Sequence, residues 1–346
     1  MDIKDVIAYL RDYDGDEIKI MEVCGTHTSS IFKNGIRSII SPKIHLISGP
    51  GCPVCVTPAS YIDKCIEWAK KDNAVVFSFG DMLKVPGTVD SLSSAKGDGA
   101  KVQLMFSPLD AVNYAADNPD KTAVIAAVGF ETTVPTYALA LEKAIKEGIN
   151  NIKLVTALKM TFPAITWICE NEKDIDGFLC PGHVSVITGS DAFKDYADKY
   201  HKPFVVSGFE GEHILAALYD IVKQLESSDF AATNRYKNAV RSGGNLKAAA
   251  LINKYFAEGS AMWRGLGEIP GSGLYLREEY KAFDGGSFGL IKDAELPKAC
   301  RCADVITGRI NPCDCPMFGK ACTPMKPYGP CMVSAEGACG IWYRNI

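Results

Sequence analysis

Between residues 17 and 225 the chain alternates short apolar, β-branched runs with stretches of helical periodicity. That alternation is the signature of parallel strands joined by crossover helices, so an α/β core is expected. The strand-like runs are IKIMEV (18–23), IHLIS (44–48), AVVFSF (74–79) and VQLMF (102–106), followed by AVIAAV (123–128), IKLVTAL (152–158), GFLC (177–180) and PFVVS (203–207). Four and four, they read as two similar parallel-sheet α/β domains. Their strand ends echo one another: GPGC (49–52) is answered by PGHV (181–184), and FGD (79–81) by GFE at 129–131 and 208–210. The polar stretch ADNPDK (116–121) is the expected boundary, which places the domains at 1–117 and 118–228. Past residue 230 strand signals thin while Gly and Pro thicken, so 229–346 reads as a third, loop-rich domain that needs a staple.

Thirty-seven basic against 41 acidic residues leave a formal charge of -4, which argues against a general nucleic-acid binder. The opening MDIKDVIAYLRDYDGDE lacks the apolar stretch of a secretory signal, and no segment approaches the ~20 apolar residues of a membrane span. The expectation is a cytoplasmic chain without membrane insertion. Phosphate-loop, H-E-x-x-H and strand-following G-x-G-x-x-G motifs are absent from the sequence. GGSFG (285–289) matches G-x-S-x-G, yet no strand precedes it and no histidine follows residue 213, so it reads as a loop.

Cysteine is where chemistry concentrates: 13 in the chain, seven of them at 300, 302, 313, 315, 322, 331 and 339. In a reducing compartment such numbers point to metal binding or redox chemistry rather than structural disulfides. A Gly/Pro-rich tail cannot pack by itself, and four thiolates on one metal centre would supply the missing cross-links. Zinc prefers C-x2-C knuckles, whereas this tail has two C-x-C pairs, which favours an iron-sulfur cluster over zinc or scattered buried thiols. Spacing alone leaves the four ligands open.

Two further thiol motifs sit at strand ends. MEVCGTHTSSIF places Cys24 and His27 after a strand and before Thr28, Ser29 and Ser30, any of which can cap a helix. A cysteine near helix N–H groups and an imidazole favours the thiolate that a ligand or nucleophile must be, and a buried Cys beside a capping His is the alternative. GPGCPVC puts Cys52 and Cys55 in a Pro-rich turn before Thr57 and Pro58, the form of a dithiol redox centre or of half a zinc site. Cys65 and Cys169 fall on apolar helical faces and are expected in the core. Asp81, Glu131, His183 and Glu210 also follow strands, and loops at the carboxyl ends of parallel strands gather at one crevice. His45, His201 and His213 lack that context and read as surface or structural.

Together CGTHT (24–28), GPGCPVC (49–55), FGDM with VPG (79–87), GFETT (129–133), PGHVS (181–185), WRGLG (263–267) and the tail C-P-x-F-G-x-x-C-T-P…C-M-V-S-x-E-G-x-C resemble, end to end, the HypD family of nickel-iron hydrogenase maturation factors. Lys84 stands where that family more often carries arginine, keeping the charge but not a bidentate contact. The resemblance implies two related α/β domains and a third with a 4Fe-4S cluster, whose pattern C-x14-C-x6-C-x16-C lands on Cys300, Cys315, Cys322 and Cys339. It leaves Cys302 and Cys331 as a second dithiol near the cluster, and Cys313 without a role. It further implies a scaffold on which iron acquires two cyanide ligands and one carbonyl, with a HypC-type chaperone and the cyanide donor HypE, itself supplied by HypF. Cys24 then carries over as iron ligand beside the chaperone's N-terminal Cys, and Cys52 and Cys55 as a redox pair. His27, Asp81, Glu131 and His183 would orient ligands or move protons. The rival classes are a general thiol-disulfide oxidoreductase fed by the cluster and a structural zinc protein.

Overall fold

All eight expected runs are strands in the computed structural model, which describes residues 2–293 and 298–346. In chain order they are β1 (Ile18–Glu22), β2 (Ile44–Ser48), β3 (Ala74–Ser78), β4 (Val102–Leu104), β5 (Thr122–Gly129), β6 (Ile152–Lys159), β7 (Gly177–Pro181) and β8 (Phe204–Ser207). Buried on both faces, they need no alternation: Ala123, Val124, Ile125, Ala126 and Ala127 of β5 are all fully enclosed. Tyr137, on the helix Val134–Lys146 that follows β5, turns back onto it, its hydroxyl donating to the Val128 carbonyl at 3.0 Å.

The grouping of these strands differs from the expected one. One sheet has the order β2-β1-β7-β8-β9, with β9 at Ala232–Asn234, and every pairing in it is parallel. The other runs β10-β11-β6-β5-β3-β4, with β10 (Phe256–Trp263) and β11 (Gly267–Leu276) forming an antiparallel hairpin on β6. Each sheet therefore takes strands from both sides of the 117/118 boundary, and the chain passes from one sheet to the other three times. Strand pairing is a non-local choice, and runs that are equally apolar carry no mark of which neighbour they will meet.

A boundary at 229 also fails, because β9, β10 and β11 belong to the two sheets. Gly259, Gly271 and Gly273, with Pro270 and a register shift between Gly259 and Ala261, broke the alternation by which the hairpin would have been read. The loop-rich segment is the tail itself. Its helices are short, Cys302–Ile306, Pro330–Val333 and Ala338–Asn345. The last docks on the helix Gly25–Lys33, where Trp342 meets Phe32 edge-on at 5.0 Å and the Arg37 guanidinium lies 4.9 Å from the Trp342 ring. No helix among the described residues is long and apolar enough to cross a membrane.

Candidate functional site

In the all-parallel sheet, β1, β2, β7 and β8 run into CGTHT, GPGCPVC, PGHVS and GFE respectively. These loops share one edge, and strand order reverses between β1 and β7, the place where open α/β sheets form a crevice. Cys24, half-buried, is the N-cap residue of the helix Gly25–Lys33. Burial pushes its thiol up to about 11, and the His27 N–H with the Thr26 hydroxyl and N–H pulls the other way. Gly51 lies so close that a Cβ there would stand 2.4 Å from the Cys24 nitrogen, and one on Gly25 would stand 2.2 Å from the Glu336 carbonyl oxygen. Only glycine lets the two loops and the tail close on one another.

Cys52 and Cys55 are joined by a disulfide with Cα atoms 5.3 Å apart, and both are buried. They line a pocket with Gly25, Thr28, Ser48, Cys331 and Glu336, so strand-end loops and tail build it together. Its polar wall rests on Glu22, the last residue of β1, which the sequence reading passed over. The Ser48 hydroxyl donates to the Glu22 carboxylate at 2.9 Å, and Arg37 stands 3.5 Å away. A carboxylate inside a strand buried on both faces was the available signal.

Asp81 and Glu131 do not reach this pocket as free groups. The Asp81 carboxylate accepts from the Ser334 hydroxyl at 3.0 Å and the Ala335 N–H at 3.1 Å, holding the turn before Glu336. Glu131, buried, takes the Thr161 N–H at 2.6 Å and hydroxyl at 2.8 Å, so it caps the helix Thr161–Asn171 from a distance. Glu131→Ala should leave both donors unpaired and cost about 2–4 kcal/mol in urea unfolding. An unchanged unfolding midpoint together with lost function would instead assign Glu131 to the chemistry.

His27 and His183 both pack against Phe209, with ring centroids at 4.8 and 4.0 Å. The His27 Nε2–H donates to the Gly208 carbonyl at 3.0 Å, while its Nδ1 is buried without a partner. Burial lowers the His27 pKa to about 4, so at neutral pH the ring is uncharged. The unfolded chain takes up that proton near 6.5 and the folded chain only near 4, so this group removes stability as pH falls through that window. Against His27→Gln, which cannot titrate, the wild type should lose ~3 kcal/mol between pH 7 and pH 4, read by denaturation at each pH. His213, read as surface or structural, is half-buried and packed on Tyr236 at 5.4 Å with Nδ1 enclosed and unbonded, a structural place. Cys65 and Cys169 are in the core as expected. His45 and His201 lie toward solvent, and Lys84 is exposed.

In the tail, Cys300, Cys302, Cys315, Cys322, Cys331 and Cys339 line a single cavity with Met317 and Met332. A wall of thiols and thioethers is the donor set that suits iron-sulfur or zinc and not hard cations. Among the described residues no three His, Cys, Asp or Glu side chains converge on a point that would hold one ion. The Tyr328 N–H points to the Cys322 sulfur at 3.4 Å and the Cys339 N–H to the Cys331 sulfur at 3.2 Å. Cys302 is pushed up by its hydrogen bond to Cys331 and by burial, so these two thiols touch. Cys331 thus stands on both this cavity and the disulfide pocket.

A family model described as HypD, hydrogenase formation hypA family, matches residues 2–346. The chain belongs to the HypD family of hydrogenase maturation factors. It is 41% identical over 338 residues to the hydrogenase maturation factor HypD of Azotobacter vinelandii, covering 94% of this chain and 89% of that one. The HypD of Escherichia coli K12 is 39% identical over 332 residues, with the same coverage of 94% and 89%. That of Rhodobacter capsulatus is 40% identical over 350 residues, covering 98% and 93%. HypD membership accounts for the end-to-end spread of the motifs.

Proposed function

We propose that the protein is the scaffold on which an iron atom, as cargo, receives two cyanide ligands and one carbonyl, in complex with a HypC-type chaperone and with HypE as cyanide donor. The observation that carries the reading is the pocket where the helix begun by Cys24, the Cys52–Cys55 disulfide and Cys331 of the tail meet. Cys24 offers a thiolate at a helix N-terminus, and a cation beside it would reverse the upward pull of burial. Soft thiolate suits low-spin iron. Cys300, Cys315, Cys322 and Cys339, four of the thiols that line the tail cavity, are the all-thiolate set that a 4Fe-4S cluster takes. That group, when bound, supplies single electrons.

Cys331 lines both the tail cavity and the disulfide pocket, and Cys302 lines the tail cavity beside it. Exchange with Cys52–Cys55 would form one S–S bond at 302–331 as the one at 52–55 breaks, with two thiol protons passing to the new dithiol. The redox pair can then hold the cargo's oxidation state. A general disulfide reductase would have no use for the Cys24 thiol at a helix start, and membership of the HypD family favours the scaffold. Anaerobic co-purification with the small chaperone, followed by infrared spectroscopy, should show cyanide and carbonyl bands. A stoichiometric complex from maturation-competent cells that shows none overturns the scaffold reading.

A further inference from the structure

His183 follows β7 and stands exposed, and among the described residues no hydrogen bond reaches either of its ring nitrogens. Its place along the sheet edge is set by register. β1 pairs with β7 as far as Glu22 opposite Leu179, so Cys24, two residues on, and His183, four residues on, leave neighbouring strands at one edge. What orients the imidazole is another ring. Phe209 stacks on it with centroids 4.0 Å apart and planes at 29°, a pairing that fixes the plane of a side chain no hydrogen bond holds.

Phe209 is half-buried and serves more than this one contact. Its ring also meets His27, at 4.8 Å and 31°. Tyr236 backs it edge-on at 6.2 Å, and lies so near the chain that a Cβ on Gly208 would stand 2.8 Å from the tyrosine ring. The backbone of the same turn ties to the helix that Cys24 begins: the Ser30 hydroxyl donates to the Phe209 carbonyl at 2.6 Å, and the His27 Nε2–H to the Gly208 carbonyl at 3.0 Å. Those ties belong to peptide groups and survive a change of side chain. The contact with His183 belongs to the ring.

We propose that Phe209 is a positioning residue of the crevice: its ring holds the His183 imidazole in one plane at the Cys24 edge, so that a ring N–H donates to a cyanide nitrogen of the cargo iron. The cargo in this inference rests on the scaffold reading, whereas the held ring rests on the stacked geometry alone. A metal-bound cyanide nitrogen accepts hydrogen bonds, and a donor that is already oriented, and not consumed by the protein, loses less freedom on engaging it. Leucine at 209 would fill much of the same volume without presenting a flat face.

In the chaperone complex, the cyanide infrared bands of Phe209→Leu should move to the positions found in His183→Ala. The double variant should show no further displacement, because one residue acts through the other. Phe209→Met, unbranched and adaptable, takes its place where the leucine variant does not fold. In the chaperone-free protein, nuclear Overhauser contacts of the His183 ring should report one orientation in wild type and several in Phe209→Leu. The positioning role is overturned if Phe209→Leu keeps wild-type cyanide bands, if the two displacements add in the double variant, or if the His183 ring of Phe209→Leu keeps its single orientation. A wild-type complex without bands sinks the scaffold reading instead, and the ring contacts then decide for Phe209 by themselves.

Discussion

On the proposed scaffold function, Cys24→Ala is expected to abolish both the cyanide and the carbonyl infrared bands of the chaperone complex while leaving the fold and the cluster proposed for the tail unchanged. The side chain caps no helix N–H through a conventional hydrogen bond, so the helix Gly25–Lys33 loses little when the sulfur is removed. That helix is held by Ile31 in the core and by the Trp342 contact with Phe32, neither of which involves the thiol. What goes is a soft ligand at a crevice edge, for which no neighbouring side chain substitutes. Ser at this position should fail nearly as badly, since a hydroxyl is a much poorer ligand for low-spin iron than a thiolate. Bands at wild-type intensity per protein in Cys24→Ala would move the iron elsewhere, with Cys52 or Cys55 the next candidates.

The second large effect is expected from Cys315→Ala: loss of cluster absorbance, of iron and of sulfide, together with local opening of the tail. The small core there has only Met317, Cys322 and Met332 as buried residues, packed with half-buried Cys300, Cys315, Phe318, Tyr328 and Cys339. The cluster proposed for these thiols would tie the loops around this small core together. Residues 338–345 should remain docked through Trp342, so limited proteolysis should cut between residues 309 and 329 and spare the C-terminus. A Cys315→Ala protein with full iron and sulfide content would remove Cys315 from the ligand set.

Some motif residues have a structural task that their position at a strand end conceals. Glu131 and Asp81 share the crevice-edge context of Cys24, yet their carboxylates are consumed by Thr161 and by Ser334 with Ala335. A motif letter records that a side chain is needed, not whether it faces the pocket or the backbone behind it. His213, read as surface or structural, is brought to Tyr236, which in turn meets Phe209, by the helix Gly211–Ser227 after β8, a placement that depends on that helix folding over its own strand.

The sequence by itself determined the eight parallel strands, the thiol motifs that follow two of them, the buried places of Cys65 and Cys169 and the family. Those features are local: a β-branched run of five residues and a Pro-rich C-x2-C are each specified within a dozen residues, whereas the expected caps Thr28, Ser29 and Ser30 lie inside a helix that begins after Cys24 without a side-chain cap. Only the tertiary structure decided that β1 and β2 pair with β7 and β8 while β3 to β6 form the other sheet, and that a Gly-broken hairpin completes the latter. The same holds for Cys331 reaching the disulfide pocket and for Glu22 behind Ser48. The reason is physical: strand partners, buried charges and cavities are settled by which surfaces exclude water from one another across hundreds of residues, and no short window of sequence records that choice.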